Sequence, residues 1–107
     1  TVNNSSVVVK KQFISSEALR IVREGMREAI VSGSARSLSD LPVEVAGKTG
    51  TAQFGNEDKT HAWFVSFAPY ENPELAMVIL VEGGGEGSSS AVPVTKEVYK
   101  WYFGERE

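Results

Sequence analysis

Three runs of β-forming residues, separated by short turns, are the feature that most limits how this chain can fold. The polar segment Gly55–Thr60 marks one turn, and Pro69 and Pro73 mark the other. Strands joined by such short connections run antiparallel. The sequence therefore predicts an antiparallel sheet of three strands, over residues 43–54, His61–Ala68 and Leu75–Glu82.

An amphipathic helix is predicted before the sheet. It begins at an N-cap serine, Ser15 or Ser16, and ends near Val31 or Ser32 with Gly33 at the C′ position. Gly25 in its middle indicates close packing at that point. The predicted buried face comprises Leu19, Val22, Met26 and Ile30. The predicted solvent face carries Arg20, Arg23, Glu24, Arg27 and Glu28.

A second helix is predicted after the sheet. A flexible glycine-rich link, residues 83–87, leads to an N-cap at Ser89 or Ser90, with Pro93 in the first turn and Gly104 just past the end. The predicted buried face comprises Val94, Val98, Trp101 and Tyr102.

The fold class predicted from these segments is α+β, with the C-terminal helix packed on the sheet. The second strand is apolar on both faces, so both faces need helices as cover. One face carries Trp63, Val65 and Phe67, and the other carries Ala62, Phe64 and Ala68. Residues 1–12 are expected either to be loose or to add a short strand over Val7–Val9.

The segment Val45–Gln53 concentrates the groups that chemistry requires. It combines the cation of Lys48, the hydroxyls of Thr49 and Thr51, and glycines that permit close approach. Strand alternation places the side chains of Lys48 and Thr49 on opposite faces. Both can reach one ligand only from the lip of a cleft, and the sequence therefore predicts an edge strand here.

With these residues the chain resembles the serine penicillin-binding proteins, whose signature ends in K-T-G. Lys48-Thr49-Gly50 matches that element, and Ala46-Gly47 and Thr51-Ala52-Gln53 match its surroundings. The later run His61–Pro69 is also similar to the C-terminal half of a class B penicillin-binding transpeptidase. The resemblance covers about Phe13 to Phe103 and implies a partial penicillin-binding, β-lactamase-like fold.

The resemblance implies a role for each residue of the motif. Thr51 N–H is a donor to the oxyanion that develops during acyl transfer, and the Lys48 ammonium lies beside the proton relay of the nucleophile. The Thr49 hydroxyl binds the carboxylate of a peptide or a β-lactam, and Gly50, which has no side chain, leaves the edge of the cleft unobstructed. The expected catalytic residues are thus Lys48 and Thr51, and the expected substrate-binding residues are Thr49, Gly50 and Thr51.

The implied reaction is D,D-transpeptidation of peptidoglycan stem peptides through an acyl-serine intermediate, at the extracytoplasmic face of a bacterial membrane. Neither the S-x-x-K nor the S-x-N motif occurs in the sequence, so the chain, residues 1–107, is interpreted as a C-terminal fragment of the transpeptidase domain that is inactive by itself. Its partners would be the rest of that domain, stem peptides and β-lactams. The alternative is a non-catalytic β-lactam sensor or interaction module of the same superfamily.

Other sites are disfavoured by the residues present. A net charge of −3 argues against nucleic-acid binding, and one histidine without any cysteine argues against a metal site. Pro42 and the strand-like residues after Thr49 do not fit a phosphate-binding loop. Ser88 breaks a dinucleotide-binding pattern that would start at Gly83, so no cofactor is expected.

Two groups of serines could supply a nucleophile, and neither has the partners that one requires. The loop serines Ser34, Ser37 and Ser39 are not followed three residues later by the lysine that would activate them, although Gly33-Ser34-Ala35 is similar to the Gly-Thr-Ala that often precedes a K-T-G strand. A triad of Asp58, His61 and Ser66 fails because strand alternation puts His61 and Ser66 on opposite faces. His61 is predicted to be structural or to lie at the edge of the cleft.

The third strand predicts one further contact. Leu75–Val81 contains seven apolar residues with neither proline nor charge. An unpaired strand of this kind is a template for another chain. The isolated chain is therefore expected to form a homodimer along this edge.

Overall fold

The chain folds as a helix, three strands and a second helix in a computed structural model, which describes residues 5–11, 13–55 and 59–105. The elements are α1 (Ser16–Val31), a short 3₁₀ turn (Arg36–Leu38), β1 (Ala46–Phe54), β2 (Lys59–Ala68), β3 (Leu75–Val81) and α2 (Val92–Lys100). Single wide turns, Gly87–Ala91 and Trp101–Glu105, flank α2. The predicted α+β class and the three predicted strands are confirmed.

The sheet is antiparallel with the order β1-β2-β3. In the register, Lys48 lies opposite Val65, and Val65 lies opposite Val78. Gly50 lies opposite Trp63. Within the described residues β1 therefore pairs on one side only, as the edge-strand prediction requires, and β3 forms the other edge.

The core lies on one face of this sheet, beneath α2. Phe64 and Tyr99 are fully buried there, and the hydroxyls of Tyr99 and Ser66 are hydrogen bonded at 2.8 Å. Burial raises the pKa of the Tyr99 phenol, and the hydrogen bond to Ser66 opposes that rise. This pairing satisfies two polar groups that would otherwise be costly to bury.

The opposite face remains exposed across β2 and β3. The exposed fractions are 36% for Trp63, 38% for Val65, 60% for Val78 and 42% for Leu80. The prediction that helices cover both faces is therefore wrong for the described part of the chain. An apolar sheet face of this size is normally covered. Within the described residues α1 reaches only the Phe67 end of this face, where the Arg23 guanidinium lies over the ring.

The helix α1 has the predicted N-cap at Ser15, whose hydroxyl accepts a hydrogen bond from Ala18 N–H, but its buried face differs from the prediction. Ile30 is buried, whereas Leu19 and Val22 are 43% and 57% exposed. The physical reason lies with two arginines of the same helix.

Arg23 and Arg27, predicted to face solvent, are directed to backbone oxygens near the sheet. Arg27 donates to Val45 O at 2.8 Å, and Arg23 donates to Tyr70 O at 2.7 Å. The Arg23 guanidinium also lies over the rings of Phe67 and Tyr70. A guanidinium fork can bind a carbonyl and stack on aromatic rings at the same time. The charged side of α1, which a hydrophobic pattern assigns to solvent, can therefore face the sheet.

The helix α2 also presents a different face from the one predicted. Its buried residues are Val92, Thr95 and Tyr99, whereas Val94 and Trp101 are 44% and 53% exposed. Thr95 can be buried because its hydroxyl donates to Ala91 O. Sequence periodicity counts a threonine as polar and misses this local bond.

The start of α2 differs as well. Pro93 lies in the first turn, as predicted, but the N-cap is Ala91, which makes no side-chain cap bond. Ser89 and Ser90 instead direct their hydroxyls backward, Ser89 to Glu86 O and Ser90 to Gly84 O. The predicted serine cap is therefore wrong, because the two serine hydroxyls donate to carbonyls of the preceding turn and do not accept from the N–H groups of α2.

The link between β3 and α2 is anchored by hydrogen bonds, which corrects the prediction of a flexible link. Thr60 donates its hydroxyl to Gly85 O at 2.8 Å, and Gly83 N–H donates to His61 Nδ1 at 3.0 Å. Gly83 and Gly85 have φ of +63° and +84°, a backbone region that glycine adopts readily. The link is thereby held against the start of β2.

Gly87, at the end of this link, is seated directly on the sheet backbone. It is buried, and a Cβ at this position would lie 2.4 Å from Trp63 O and 2.9 Å from Gly50 O. Backbone atoms of a paired strand cannot easily move aside. Any side chain at Gly87 would therefore push the wide turn before α2 away from β1.

The N-terminal residues that are described form no regular element. Val7, Val8 and Val9 are exposed by 79%, 74% and 93%, and the optional short strand there is wrong. Residues 1–4 and 12 lie outside the described residues. None of the described helices has the length and apolar character needed to cross a membrane.

Two glycine substitutions should shift the stability of the chain in opposite directions. Gly25 was expected to mark close packing, but a Cβ there meets nothing within 4 Å. We expect Gly25→Ala to stabilise the chain by about 1 kcal/mol, since alanine is the better helix former. We expect Gly87→Ala to destabilise it by about 1–3 kcal/mol through overpacking.

Urea unfolding of both variants beside the wild type measures these changes. Gly104→Ala is a matched control, because an added Cβ there also meets nothing within 4 Å. A Gly87→Ala variant as stable as the wild type would contradict the tight seating of α2 on the sheet.

Candidate active site

The outer edge of β1 brings Lys48 and Thr49 together despite their opposite side-chain directions. The Lys48 ammonium donates to Thr49 O at 2.6 Å, with Lys48 exposed and Thr49 half-buried. Along the same strand direction, Val45 O accepts from Arg27 of α1, whereas Glu44 O accepts from Tyr70 N–H just past β2. Odd-numbered carbonyls, including that of Thr49, therefore point away from β2. The N–H and C=O of a strand residue point the same way and repeat every second residue, so Thr51 N–H belongs to the same open edge.

The Thr49 hydroxyl has a partner outside the strand. Ser34 Oγ lies 3.1 Å from Thr49 Oγ1, and either hydroxyl can donate in this pair. Ser34 comes from the connection between α1 and the 3₁₀ turn and is exposed. Sequence reasoning treated Ser34 as a loop residue; the Gly33-Ser34-Ala35 pattern before the strand was the signal that could have pointed to it.

The glycines of β1 differ in what they permit. A Cβ at Gly50 would meet Trp63 Cβ at 3.5 Å, which is an ordinary contact. A Cβ at Gly47 would meet Phe64 Cζ at 2.4 Å and Val65 O at 2.8 Å. Close packing within this chain therefore requires glycine at position 47. At position 50 the packing does not require glycine, and the missing side chain leaves the strand edge unobstructed.

Thr51 lies at the outer end of the motif and contacts the anchored link. It is exposed, and its hydroxyl lies 3.5 Å from Gly87 N, at the long limit of a hydrogen bond. Together with the seating of Gly87 on Gly50, this contact supports β1 from the covered face of the sheet. The strand that carries the motif is thus supported by the wide turn before α2.

The geometry excludes a triad built on His61 and Ser66. Ser66 is buried and bonded to Tyr99, on the face opposite to His61. His61 stacks on Phe54 with ring centroids 3.9 Å apart and accepts a hydrogen bond from Gly83 N–H. These contacts agree with the predicted structural role of His61. Asp58, the third member considered, lies outside the described residues.

Other candidate sites in the described residues are weaker. No cluster of three or more side chains suited to bind a metal occurs among them. An open cleft of about 390 Å³ lies beside α1, away from the β1 edge, and is lined by Ser16, Leu19, Arg20, Arg23, Tyr70 and Glu71. Its cations already have partners: Arg20 is paired with Glu17 and Glu24, which raise the pKa of its guanidinium, and Arg23 is bonded to Tyr70 O.

Comparison with known proteins places the chain in a defined family. The family described as "Penicillin binding protein transpeptidase domain" matches residues 3–100. Peptidoglycan D,D-transpeptidase MrdA of Haemophilus influenzae is 33% identical, in an alignment that covers 83% of this chain and 16% of that protein. The chain thus spans about a sixth of the length of this curated relative.

Solved structures show the same fold. A complex of penicillin-binding protein PBP2 with MreC from Helicobacter pylori matches with a TM-score of 0.70 and 36% identity, over 86% of this chain and 19% of that one. Penicillin-binding protein A from Mycobacterium tuberculosis, as a ceftriaxone acyl-enzyme complex, matches with a TM-score of 0.71 and 29% identity, over 81% and 21%. From the family match and these relatives, the chain belongs to the penicillin-binding protein transpeptidase domain family.

Proposed function

We propose that the chain supplies one wall of the active site of a peptidoglycan D,D-transpeptidase. The whole domain would cross-link stem peptides through an acyl-serine intermediate, and β-lactams would acylate the same serine. The observation that carries the proposal is the open edge of β1, where the Lys48 ammonium and the Thr49 carbonyl meet at 2.6 Å. Groups fixed on a strand edge are preorganised for a ligand that binds along it.

The residues of this edge have complementary tasks in the proposed reaction. Attack on a carbonyl carbon places negative charge on its oxygen, and Thr51 N–H on the open edge can donate to that oxygen. Lys48 supplies a positive charge beside the nucleophile, which would come from the rest of the domain. Thr49 offers a hydroxyl to the substrate carboxylate, and Gly50 leaves room for the substrate backbone.

The proposal extends to the setting of the whole protein. The relatives are several times longer than this chain, since it covers 16% of MrdA and 19% of the PBP2 chain. We therefore assign the nucleophilic serine and its lysine to the rest of a transpeptidase domain, of which this chain would be the C-terminal part. With peptidoglycan as its substrate, the whole protein would act at the extracytoplasmic face of a bacterial membrane.

The chain alone should form no covalent adduct with penicillin. Acylation needs a serine with an adjacent base, and no S-x-x-K motif occurs in the 107 residues. Incubation with a fluorescent penicillin followed by intact-mass measurement checks this, with the full-length protein as the positive control. A stoichiometric mass increase that maps to any serine of this chain would contradict the assignment of the nucleophile.

In the full-length protein, Lys48→Ala should slow acylation by about 10²-fold or more, as expected when one electrostatic group is removed from a preorganised site. Its melting temperature should change little, because Lys48 is exposed. Rates with a fluorescent penicillin and thermal unfolding measure the two quantities.

Lys100→Ala, an exposed lysine on α2, is the matched control for lost positive charge. Unchanged acylation with a large loss of stability in Lys48→Ala would favour a purely structural lysine. A β-lactam sensor of the same superfamily would be acylated yet fail to cross-link stem peptides, so a transpeptidation assay with a stem-peptide donor separates the two functions.

The isolated chain should also associate with a second copy along β3. Its outer edge has no partner strand within the described residues, and Val78 and Leu80 beside it are 60% and 42% exposed. Light scattering over a dilution series should show a dimer that Val78→Lys converts to monomer, since a charge on an edge strand discourages pairing. Val94→Lys, on an exposed part of α2, is the control. A monomeric wild type at high concentration would refute this association.

A further inference from the structure

The link between β3 and α2 passes the start of β2, where two consecutive residues hold it. His61 Nδ1 accepts a hydrogen bond from Gly83 N–H at 3.0 Å, at the beginning of the link. Thr60 donates its hydroxyl to Gly85 O at 2.8 Å, and Gly85 N–H donates to Thr60 O at 3.3 Å. Because the side chains of consecutive strand residues point to opposite faces, the link is held from both faces of the sheet before it reaches Gly87.

Gly87, at the end of the link, lies against the peptide unit of β1 that carries the proposed oxyanion donor. A Cβ at Gly87 would lie 2.9 Å from Gly50 O and 3.1 Å from Gly50 N, so the two backbones are in close contact. The Gly50 C=O and the Thr51 N–H belong to one planar peptide and point in opposite directions. A group packed against the Gly50 oxygen therefore also limits the direction of the Thr51 N–H.

His61 makes two contacts that can be separated. Its ring stacks on Phe54, at the end of β1, with centroids 3.9 Å apart and 2° between the planes. Its Nδ1 holds Gly83, at the start of the link. The side chain is half-buried and lies outside the hydrophobic core cluster. The contact with Gly83 therefore joins His61 to the link and adds nothing to the cover of the core.

We propose that His61 is a positioning residue for acylation, which acts on the Thr51 N–H through the link. His61 touches neither the substrate nor the nucleophile. Its Nδ1 holds Gly83, and the link in turn keeps Gly87 against Gly50. This proposal rests on the proposed function, because that function assigns the developing oxyanion to the Thr51 N–H. A donor fixed in advance stabilises a transition state without reorganisation, so the effect of His61 belongs to the acylation step and not to the binding of the ligand.

Two substitutions at His61 separate its two contacts in the full-length protein. His61→Phe keeps a ring that can stack on Phe54 but removes the acceptor. His61→Asn removes the stacked ring but keeps an acceptor oxygen close to the position of Nδ1. Stopped-flow acylation by a fluorescent penicillin over a range of concentrations yields the first-order acylation constant and the dissociation constant of the complex that precedes it.

We expect His61→Phe to lower the acylation constant by about five-fold, the factor that corresponds to one hydrogen bond, with an unchanged dissociation constant. His61→Asn should keep the wild-type acylation constant. Thr60→Val removes the other side-chain anchor of the link and should lower the acylation constant as well, which tests the proposal even if His61→Phe does not fold. Thr95→Val is the matched control, because it loses a buried hydroxyl bond within α2. It should lower the melting temperature and leave the acylation constant unchanged.

Equal losses in the two His61 variants would assign the effect to the ring and overturn the proposal. A higher dissociation constant with an unchanged acylation constant would overturn it too, since the effect would then lie in binding. If Lys48→Ala slows acylation while His61→Phe and Thr60→Val do not, the proposed function stands and this proposal fails. If the wild-type protein is not acylated at all, both fail.

Discussion

The active-site wall proposed for this chain depends on β1 being paired on one side only. A residue in the middle of a sheet has both backbone groups engaged, whereas the free edge of β1 leaves alternate N–H and C=O groups open to a ligand. The bond from Lys48 to Thr49 O uses one of these open carbonyls. A single edge strand thereby presents a cation, a hydroxyl and a backbone donor along one line.

An edge strand needs support if it is to hold such groups in place, and the covered face of the sheet provides it. Gly87 lies on the backbone of Gly50, and Gly47 admits the ring of Phe64. Further from the motif, the buried bond between Ser66 and Tyr99 fixes α2 on the same face. These contacts are all with elements that follow β1 in the sequence. From the part that precedes β1, Arg27 and Ser34 contact Val45 O and the Thr49 hydroxyl.

The sequence was sufficient where local rules decide the structure and insufficient where a distant partner decides it. The strands, the edge position of β1 and the Ser15 cap follow from alternation, turn residues and capping chemistry, and the structure has them. The sequence did not predict the sheet-facing Arg23 or the buried Thr95. Each of them donates a hydrogen bond to one particular backbone carbonyl, and hydrophobic periodicity holds no information about such bonds. Ser34 was missed for the same reason, since its partner Thr49 lies on another element.

The exposed apolar face of β2 and β3 fits a chain that covers 19–21% of the solved relatives it matches. Cover on both faces was predicted because Trp63 and its neighbours make the second face of β2 apolar as well. It could not specify where that cover would come from. The part of the domain proposed to hold the nucleophile is the natural source, since it must approach the same edge strand.

The most direct measurement of the central claim is a crystal structure of the full-length protein acylated by benzylpenicillin. The carbonyl oxygen of the adduct should lie about 2.7–3.1 Å from Thr51 N, the range of an oxyanion donor, with the penicillin carboxylate on the Thr49 hydroxyl. An adduct whose carbonyl oxygen and carboxylate both lie away from β1, or an outer β1 edge already paired with another strand, would contradict it.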